Sequence, residues 1–475
     1  MKLSRTTTST PSTTGTDALH DPEVLAGLVD AVRERLGEAV ADAVARCMSD
    51  TLARTITRHP DGTAFVITGD IPAMWLRDST TQLAPFLHLA GTDARLADTI
   101  AAVSRRQQAS ILHDPYANAF NDGPTGDGHR DRTGDPETGQ SPWVWERKYE
   151  IDSLAYPVQL AYDLWQITGR TDHLTQLGQV ARTIIGLWRT EQRHDEASPY
   201  TFERTDCPPS DTLVRDGRGS ETTFTGMTWA GFRPSDDACR YGYNVPGNAF
   251  AVVALGYLVR LASEVLHDDA LADDAAALRS DLERGIREHG VVQGPRGEPV
   301  YAYEVDGRGG VLLADDANSP SLLSLPFLGW CRADDPLYTA TRDLILSDAN
   351  PYHYTGTAAS GIGSPHTPEG HVWPIALAIQ GLTSTDRAER RRLLDLILTT
   401  DAGTGAVHES FHVDDPGTYT REWFSWANAM FCELALETAG LRTYRRPALE
   451  SATESATEPG TESATEPGTD PGAAR

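Results

Sequence analysis

The alternation of short and long connections between helical segments constrains the fold of this chain more than any other sequence feature. Apolar spacing and capping residues predict twelve helices. They lie near residues 23–48, 79–90, 93–112, 150–168, 171–194, 246–263, 267–288, 319–330, 335–347, 370–383, 387–400 and 422–440. Tight turns at 91–92, 169–171 and 384–386 join neighbours into antiparallel hairpins. Six such hairpins predict an all-α (α/α)6 toroid whose inner helices surround a central pocket.

The remaining connections are long and rich in Gly, Pro, Asp and aromatic residues. They cover 113–149, 195–245, 290–318, 348–369 and 401–421. Loops longer than about 12–15 residues in a compact domain are usually functional or disordered. Alternate loops of a toroid emerge on one face, so we expect these five to wall one mouth of the pocket. The only strands predicted are 300–305 and 311–313, a hairpin that turns at 306–310.

The two ends of the chain differ in composition from the middle. Residues 1–20 are rich in Ser and Thr, which predicts a disordered leader, and no apolar segment typical of a secretion signal follows Met1. Residues 447–475 repeat small, acidic, Pro and Gly residues that cannot bury a core, which predicts a disordered tail. The (α/α)6 domain is therefore expected over 21–446.

Composition narrows the partners and the compartment. The 475 residues carry a net charge of −27 and two lysines, Lys2 and Lys148, which argues against nucleic acid and anionic membrane surfaces. No uninterrupted apolar run approaches the roughly 20 residues of a membrane span. The five cysteines lie far apart without a CxxC pair, as is typical of reduced thiols in a cytoplasmic protein.

The stretch 65–79 combines a Gly-Pro loop with Asp70, Trp75, Arg77 and Asp78. A guanidinium and a carboxylate can bind neighbouring sugar hydroxyls, while an indole covers the apolar face of the ring. We expect a helix to begin here near Asp78 or the following serine, since both are good N-cap residues. The alternative is a buried Arg–Asp ion pair that fixes this helix start.

Adjacent carboxylates occur at Asp236 and Asp237. Their aromatic neighbours in sequence are Trp229, Phe232, Tyr241 and Tyr243. Apolar surroundings and a like charge both raise a carboxyl pKa, as a general acid at neutral pH requires. A turn and capping cluster is the alternative interpretation.

The last long loop places Glu409 between His408 and His412. Glu409 is a candidate general base, and the spacing also matches the zinc motif HExxH. In zinc hydrolases that motif lies within a helix and needs a third ligand. The turn-forming segment 414–417 follows at once, which disfavours a continuous helix and therefore zinc.

Three further polar clusters precede predicted inner helices: 146–152, 315–318 and 363–369. They contribute Asp152, Asn318 and His366 as candidate binding residues, with helix capping as the alternative. Seven of the ten tryptophans lie in or beside the long loops, a bias that suits a carbohydrate pocket. These are Trp75, Trp143, Trp145, Trp229, Trp373, Trp423 and Trp426.

Taken together, five motifs resemble glycoside hydrolase family 125 over about residues 45–440. The motifs are 69–79 (GDIPAMWLRDS), 232–238 (FRPSDDA), 315–324 (DDANSPSLLS), 361–368 (GIGSPHTP) and 423–428 (WFSWAN). The resemblance implies an (α/α)6 exo-α-1,6-mannosidase that needs no metal or other cofactor. Its substrate would be an α-mannoside, such as an oligosaccharide derived from mannan or an N-glycan.

The same resemblance assigns roles to residues. The family inverts the anomeric centre with an Asp acid and a Glu base, which fall on Asp236 or Asp237, with Asp236 preferred, and on Glu409. Inversion implies carboxyl groups about 6.5–9.5 Å apart. The residues expected to bind the terminal mannose are Asp70, Trp75, Arg77, Asp78, Asp152, Asn318, His366 and Trp423.

Two alternatives remain open at this point. One is a sugar epimerase on the same architecture, with His366, His371 or His408 as acid and base. The other is a glycan-binding protein with an inactive site, which the intact carboxylates disfavour.

Overall fold

Helices whose residues are nearly all buried lie at the centre of the fold, and helices with one exposed face surround them. The computed structural model describes residues 18–129, 140–205 and 207–446. The helices are α1 Pro22–Leu36, α2 Glu38–Asp50, α3 Leu76–Thr81, α4 Ala84–Leu87, α5 Ala94–His113, α6 Asp152–Thr168, α7 Leu177–Glu191, α8 His194–Ala197, α9 Val214–Gly217, α10 Val245–Leu261, α11 Asp269–Gly285, α12 Leu325–Leu328, α13 Pro336–Ile345, α14 Pro374–Leu382, α15 Arg387–Thr399 and α16 Ser425–Ala439. The predicted leader, apart from 18–20, and the predicted tail lie outside the described residues.

The inner ring consists of α3, α6, α10, α12, α14 and α16. Helix α3 packs on α6, α6 on α10, α10 on α12, α14 on α16, and α16 on α3. The outer helices α5, α11 and α15 pack on α6, α10 and α14 respectively. Inner helices such as α10 are apolar all round because every face meets another element, whereas α7 and α11 bury only one stripe. The predicted (α/α)6 toroid is confirmed.

One inner helix is apolar enough to resemble a membrane span. Val245–Leu266, which is α10 followed by a π-helical turn, has 22 residues, and an 18-residue window within it has a mean hydropathy of 1.8. The helix lies inside the inner ring, where α6 and α11 cover it and 61% of that window is buried. Its hydrophobicity is therefore explained by its place in the core of the toroid.

Short strands are more numerous than the sequence pattern predicts. They are β1 Ile56–Arg58, β2 Ala64–Val66, β3 Met74–Trp75, β4 Ala119–Phe120, β5 Val144–Glu146, β6 Tyr243–Asn244, β7 Val291–Gln293, β8 Pro299–Tyr301, β9 Glu304–Val305, β10 Val311–Leu312, β11 His353–Thr355, β12 Ser360–Ile362, β13 His371–Val372, β14 Ser410–His412 and β15 Tyr419–Thr420. The predicted hairpin is confirmed as β9–β10, but 300–305 divides between β8 and β9. Strands of two or three residues are too short to leave a readable alternation.

Several predicted helix boundaries are wrong for local reasons. Gly37 adopts φ 94°, which separates α1 from α2 within the single helix predicted there. The helix predicted over 319–330 is only the single turn α12, because the amides of Leu322 and Leu323 donate to the Asp315 carboxylate instead of joining a helix. Helix α3 begins at Leu76, before the predicted caps, since the pairing of β3 with β4 fixes its start.

Two segments that are distant in sequence meet at the mouth of the toroid. Gly69 forms an antiparallel bridge with Phe424, and the Ser425 amide donates to the Thr68 carbonyl at 3.2 Å. Gly69 has φ 122°, and a Cβ atom there would lie 2.9 Å from the Trp423 carbonyl oxygen. This contact holds the segment 69–79 beside the last inner helix.

The segment after α16 returns to the opposite end of the ring and is held there by a buried ion pair. Arg446 donates through Nη2 to Asp163 at 2.7 Å, and Tyr444 donates to the same carboxylate at 2.9 Å. The Asp163 side chain is fully buried in α6. Removal of its partner would leave an uncompensated charge in the core, which is strongly destabilising.

We therefore expect Arg446→Met to lower the free energy of unfolding by about 3 kcal/mol. The matched control is Arg391→Met, which breaks an exposed pair with Asp395 and should change stability by less than about 0.5 kcal/mol. Urea unfolding at neutral pH, followed by circular dichroism, measures both. Equal effects of the two substitutions would contradict the structural role assigned to Arg446.

Candidate active site

A cavity of about 300 Å³ opens at the mouth of the toroid. Each of the five long connections contributes a side chain to its wall, as predicted. Among these are Glu146, Asp211, Asn318, His366 and Glu409. Its size falls at the lower end of the range of small-molecule sites, which is about 300–1,000 Å³.

Arg77 lies at the wall of this cavity within reach of four carboxylates. It is the second residue of α3, and its side chain is only 3% exposed. The guanidinium is 2.8 Å from Glu150, 3.1 Å from Asp152, and 3.5 Å from both Asp78 and Asp236. Arg77 is thus a buried ion-pair partner that also lines the cavity, and its binding of a sugar stays a prediction.

Asp78 and Trp75 line the cavity, as expected of sugar-binding residues. Thr68 donates a hydrogen bond to Asp78, and burial raises the pKa of that carboxyl despite the nearby Arg77. Trp75 is held in β3 opposite Ala119 of β4, which fixes its indole against the cavity.

The aromatic side chains that the C-terminal part of the chain contributes to the cavity differ from the predicted ones. Trp426, Phe424 and Trp373 line the cavity, whereas Trp423 does not belong to its lining. The ring of Trp423 instead packs under the guanidinium of Arg54, with Cζ 3.8 Å from the ring centroid. In the extended segment before α16, neighbouring side chains point to opposite sides, so Phe424 and Trp423 cannot both face the cavity.

The loop 232–238 closes on itself and presents Asp236 to the cavity. Phe232 bridges Ala238, and the Arg233 amide donates to the Asp237 carbonyl at 2.8 Å. Asp236 adopts φ 66°, a left-handed conformation that costs roughly 1–2 kcal/mol in a non-glycine residue. Such strain is retained where surrounding contacts impose it, frequently at functional sites.

Those contacts come from a buried lysine and an asparagine. Lys148 Nζ donates to the Asp236 carbonyl oxygen at 2.6 Å and to Asp211 Oδ1 at 2.6 Å. Asn118 Nδ2 donates to Asp236 Oδ1 at 3.2 Å. The Asp236 backbone and side chain are thereby both fixed at the cavity wall.

The expected elevation of the acid pKa does not hold for Asp236. Burial acts to raise it, but Lys148 and Arg77 together hold the pKa of this carboxyl well below its usual range. The aromatic neighbours suggested an apolar setting, whereas the actual neighbours are cations from other parts of the chain. Asp237 lies outside the cavity lining, 2% exposed, where Ser235 Oγ donates to it at 3.1 Å.

Glu409 lies in the cavity wall in contact with Arg421. The Arg421 Nη1 atom is 3.4 Å from Glu409 Oε1, and the Glu409 amide donates to the Arg421 carbonyl at 3.3 Å. Arg421 also donates through Nε to Asp70 Oδ1 at 3.0 Å. Asp70, predicted to bind sugar, is 40% exposed and outside the cavity lining, so in this structure its contact is with Arg421.

Asn318 and His366 line the cavity, whereas Asp152 lies behind it. Asp152 begins α6 and accepts a hydrogen bond from Arg77, and burial raises its pKa to about 6. Asn318 Nδ2 donates to Asp316 at 3.2 Å. Asp152 thus acts on the cavity through Arg77.

His366 faces Asp237 across the rim, with Nδ1 3.7 Å from Oδ1. Burial acts to lower the pKa of this imidazole, but the nearby carboxylates of Asp237, Asp236 and Glu409 outweigh it and raise the pKa to about 9. His366 is therefore an imidazolium at neutral pH and a hydrogen-bond donor to the cavity.

The zinc alternative does not fit the residues around Glu409. His412 lies in the strand β14, so the motif is not helical. Both ring nitrogens of His408 lie within 3.1 Å of backbone carbonyl oxygens, those of Glu422 and Asp401. Within 18–129, 140–205 and 207–446, no group of three or more His, Cys, Asp or Glu residues is arranged to hold a metal ion.

Two cations in the site carried no recognised motif. Arg421 lies in the segment 420–428 that follows the Glu409 loop, and no local sequence pattern marks it as a site residue. Lys148 is one of only two lysines in the chain and is 2% exposed, so its rarity was the one available signal. Arg204 and Asp211 also line the cavity and were missed, since they lie in a long loop without a pattern.

The charges of the cavity lining nearly balance. Carboxylates are Asp78, Glu146, Asp211, Asp236 and Glu409, and the Lys and Arg side chains are Arg77, Lys148, Arg204 and Arg421. A site for a phosphate would show a strong positive excess. Alternating donors and acceptors beside tryptophans suit a neutral, polyhydroxylated ring instead.

Comparison with known proteins agrees with this geometry. The sequence model of the family described as metal-independent α-mannosidase (GH125) matches residues 37–436. The chain belongs to glycoside hydrolase family 125. This membership makes the protein a glycosidase of the metal-independent α-mannosidase type, in agreement with the resemblance found in the motifs.

Individual family-125 relatives cover most of both chains. A solved α-mannosidase of Streptococcus pneumoniae, in a non-productive complex with α-1,6-mannobiose, is 48% identical, with a TM-score of 0.87 over 89% of this chain and 100% of that one. The meiotically up-regulated gene 157 protein of Schizosaccharomyces pombe is 40% identical over 86% of this chain and 84% of its own length. A bacterial glucoamylase complexed with acarbose, 12% identical with a TM-score of 0.55 over 84% of this chain and 56% of its own, shares the fold.

The protonation of His366 yields a direct test of the site electrostatics. Because Asp237 raises the pKa of His366 against the effect of burial, Asp237→Asn should lower that pKa from about 9 by about one unit or more. Nitrogen-15 NMR titration of histidine side chains measures it. His353, whose pKa is lowered by burial elsewhere, serves as the internal control and should not move.

Proposed function

We propose that this family-125 enzyme is an exo-acting hydrolase that releases terminal non-reducing α-1,6-linked mannose with inversion of the anomeric centre. The observation that carries the proposal is that Asp236 and Glu409, from two different loops, line one cavity, each beside cationic side chains. Asp236 lies among Lys148, Arg77 and other carboxyl groups, and Glu409 is paired with Arg421. Division of roles between two carboxyl groups is the basis of glycoside hydrolysis.

In the proposed reaction Asp236 is the general acid and Glu409 the general base. The acid gives its proton to the glycosidic oxygen as the bond to the anomeric carbon breaks, and the leaving sugar departs as a neutral alcohol. Glu409 takes a proton from the water that attacks the opposite face of the sugar ring. Asp237 is less suited to the acid role because it lies behind the cavity wall, bound to Ser235 and facing His366.

The position of the remaining polar groups in the cavity lining supports a role for them in binding. Asp78, Asn318 and the His366 imidazolium supply hydrogen bonds to mannose hydroxyls, and Trp75 supplies an apolar face. Asp70 and Asp152 act through the arginines that they hold, Arg421 and Arg77. A cavity of about 300 Å³ suits one terminal sugar and its linkage, which supports exo action.

The proposed substrate is an oligosaccharide derived from mannan or an N-glycan. Support comes from the 48% identical Streptococcus pneumoniae enzyme, which was solved with α-1,6-mannobiose. We further propose a cytoplasmic location, in keeping with five cysteines that are all free thiols in the structure.

The epimerase alternative is less well supported by the same geometry. Of the three histidines considered for it, only His366 lines the cavity. His371 packs edge-on against His412, and His408 stacks on Tyr419 with both ring nitrogens at carbonyl oxygens.

The stereochemistry of the product tests inversion and linkage together. Proton NMR of the enzyme with the methyl glycoside of α-1,6-mannobiose, whose reducing-end anomeric centre is fixed, should in EDTA show β-mannose first, with α-mannose appearing only as the free sugar mutarotates. Early α-mannose would mean retention and would remove Glu409 as a base. Absence of cleavage would contradict the proposed linkage.

Glu409→Gln should lower kcat on the same disaccharide by about 10²-fold or more, because the attacking water loses its proton acceptor. The control is Glu422→Gln, which makes the same chemical change at an exposed neighbouring position and should leave kcat within about twofold. Circular dichroism confirms that both variants fold. A Glu409→Gln enzyme as active as the control would exclude Glu409 from the mechanism.

A further inference from the structure

Glu150 is a buried carboxyl group for which the proposed acid and base chemistry has no role. Its side chain is 0% exposed and lies two residues before the start of α6. Its oxygen Oε2 accepts hydrogen bonds from Arg77 Nη1 at 2.8 Å and from Ser153 Oγ at 2.8 Å. The other oxygen, Oε1, is fully buried and receives no hydrogen bond from those donors.

A second carboxyl group, that of Asp236, lies near Glu150. The carboxyl groups of Glu150 and Asp236 both lie against the Arg77 guanidinium, Glu150 at 2.8 Å from Nη1 and Asp236 at 3.5 Å from Nη2, and each shifts the pKa of the other as a hydrogen-bonding neighbour. Two ionised carboxylates are acceptors only, so a hydrogen bond between them requires a proton on one of the pair. Like charges that are neighbours in a buried site share a proton, as in the aspartic-protease dyad.

Charge counting around Arg77 leads to the same conclusion. Four carboxyl groups contact this guanidinium, and the other nearby cations each face a further carboxylate: Lys148 is bound to Asp211, His366 faces Asp237, and Arg421 is bound to Asp70. If all four were ionised, a buried cluster would hold an uncompensated negative charge, which is costly. The charged and titratable groups that face Glu150 are Arg77, Asp152, Asp236 and Cys239.

Building on the function proposed above, we propose that Glu150 and Asp236 share one proton. Glu150 Oε1 carries this proton in the free enzyme, and Glu150 is the positioning residue that supplies it to the acid Asp236. Burial raises the pKa of Glu150 well above its ordinary value, while Lys148 and Arg77 hold that of Asp236 below its own. This difference explains how a carboxyl group flanked by two cations can serve as an acid.

The proton balance over one turnover is complete. The proton passes from Glu150 Oε1 to Asp236, which leaves Glu150 as a carboxylate paired with Arg77. Asp236 then gives that proton to the glycosidic oxygen, while Glu409 receives one from the attacking water. After product release Glu409 returns its proton to solvent, and one proton from solvent restores the Glu150–Asp236 pair.

Two substrates whose leaving groups differ in their need for a proton test this role of Glu150. Hydrolysis of α-1,6-mannobiose needs protonation of a sugar alcohol, whereas hydrolysis of 2,4-dinitrophenyl α-mannoside needs none. We expect Glu150→Gln to lower kcat/KM on mannobiose by about 10²-fold and on the dinitrophenyl glycoside by no more than about fivefold. Asp236→Asn provides the reference pattern, with the same selective loss.

The pH profile on mannobiose supplies the second readout. In Glu150→Gln the neighbouring negative charge is gone and an amide donates to Asp236, and both changes favour its ionised form. The high-pH limb of kcat/KM should therefore move to lower pH by about one unit or more. Ser153→Ala removes a donor that favours ionised Glu150, so its limb should move to higher pH.

Asp152→Asn is the matched control, since Asp152 bonds the same Arg77 nitrogen at 3.1 Å. It should reduce kcat/KM for both substrates by one common factor. If Glu150→Gln lowers kcat/KM equally on both substrates, or leaves the high-pH limb of kcat/KM in place, the two residues do not share a proton. Glu150 would then only support Arg77. If Glu150→Gln does not fold, the Ser153→Ala variant decides: a high-pH limb of kcat/KM that stays in place or moves to lower pH contradicts the shared-proton proposal. Wild-type inactivity on mannobiose would instead count against the proposed function.

Discussion

The buried guanidinium of Arg77 is the charge on which the floor of the cavity depends. It contacts carboxyl groups from α3, from the start of α6 and from the loop 232–238. Without it, those carboxyl groups would repel one another in a site with little water. Its position at the second residue of α3 is set by the β3–β4 pairing and by the Gly69–Phe424 bridge. The inner ring therefore aligns the charge before any substrate is present.

A second feature is that cations control each proposed catalytic carboxylate. Lys148 and Arg77 lie beside Asp236, and Arg421 lies beside Glu409. These cations are in turn held by acids that do not line the cavity, namely Glu150 and Asp152 for Arg77, and Asp70 for Arg421. The alternation of anionic and cationic side chains fixes the geometry of the cavity wall and keeps the catalytic carboxylates in place.

The toroid was predictable from the sequence because helices of this length leave a clear apolar period, and short turns dictate antiparallel neighbours. The long loops were located for the same reason, and Asp236, Glu409, Arg77 and Asp78 were found through local motifs. What could not be predicted arises from contacts distant in sequence. Lys148 reaches Asp236 across 88 positions, and Asp70 reaches Arg421 across 351. A raised pKa for Asp236 was inferred from local aromatic residues, and these distant cations reverse it.

The burial of Lys148 has a practical consequence for chemical modification. The chain has only two lysines, and Lys148 is 2% exposed with its ammonium bound to Asp211 and to the Asp236 carbonyl. Its neighbouring acids also raise its pKa, which keeps the amine protonated and unreactive toward acylating reagents. Amine-directed coupling of the folded protein therefore leaves Lys148 unmodified. Dyes or surfaces attached to other amines of the chain would leave the wall of the cavity chemically untouched.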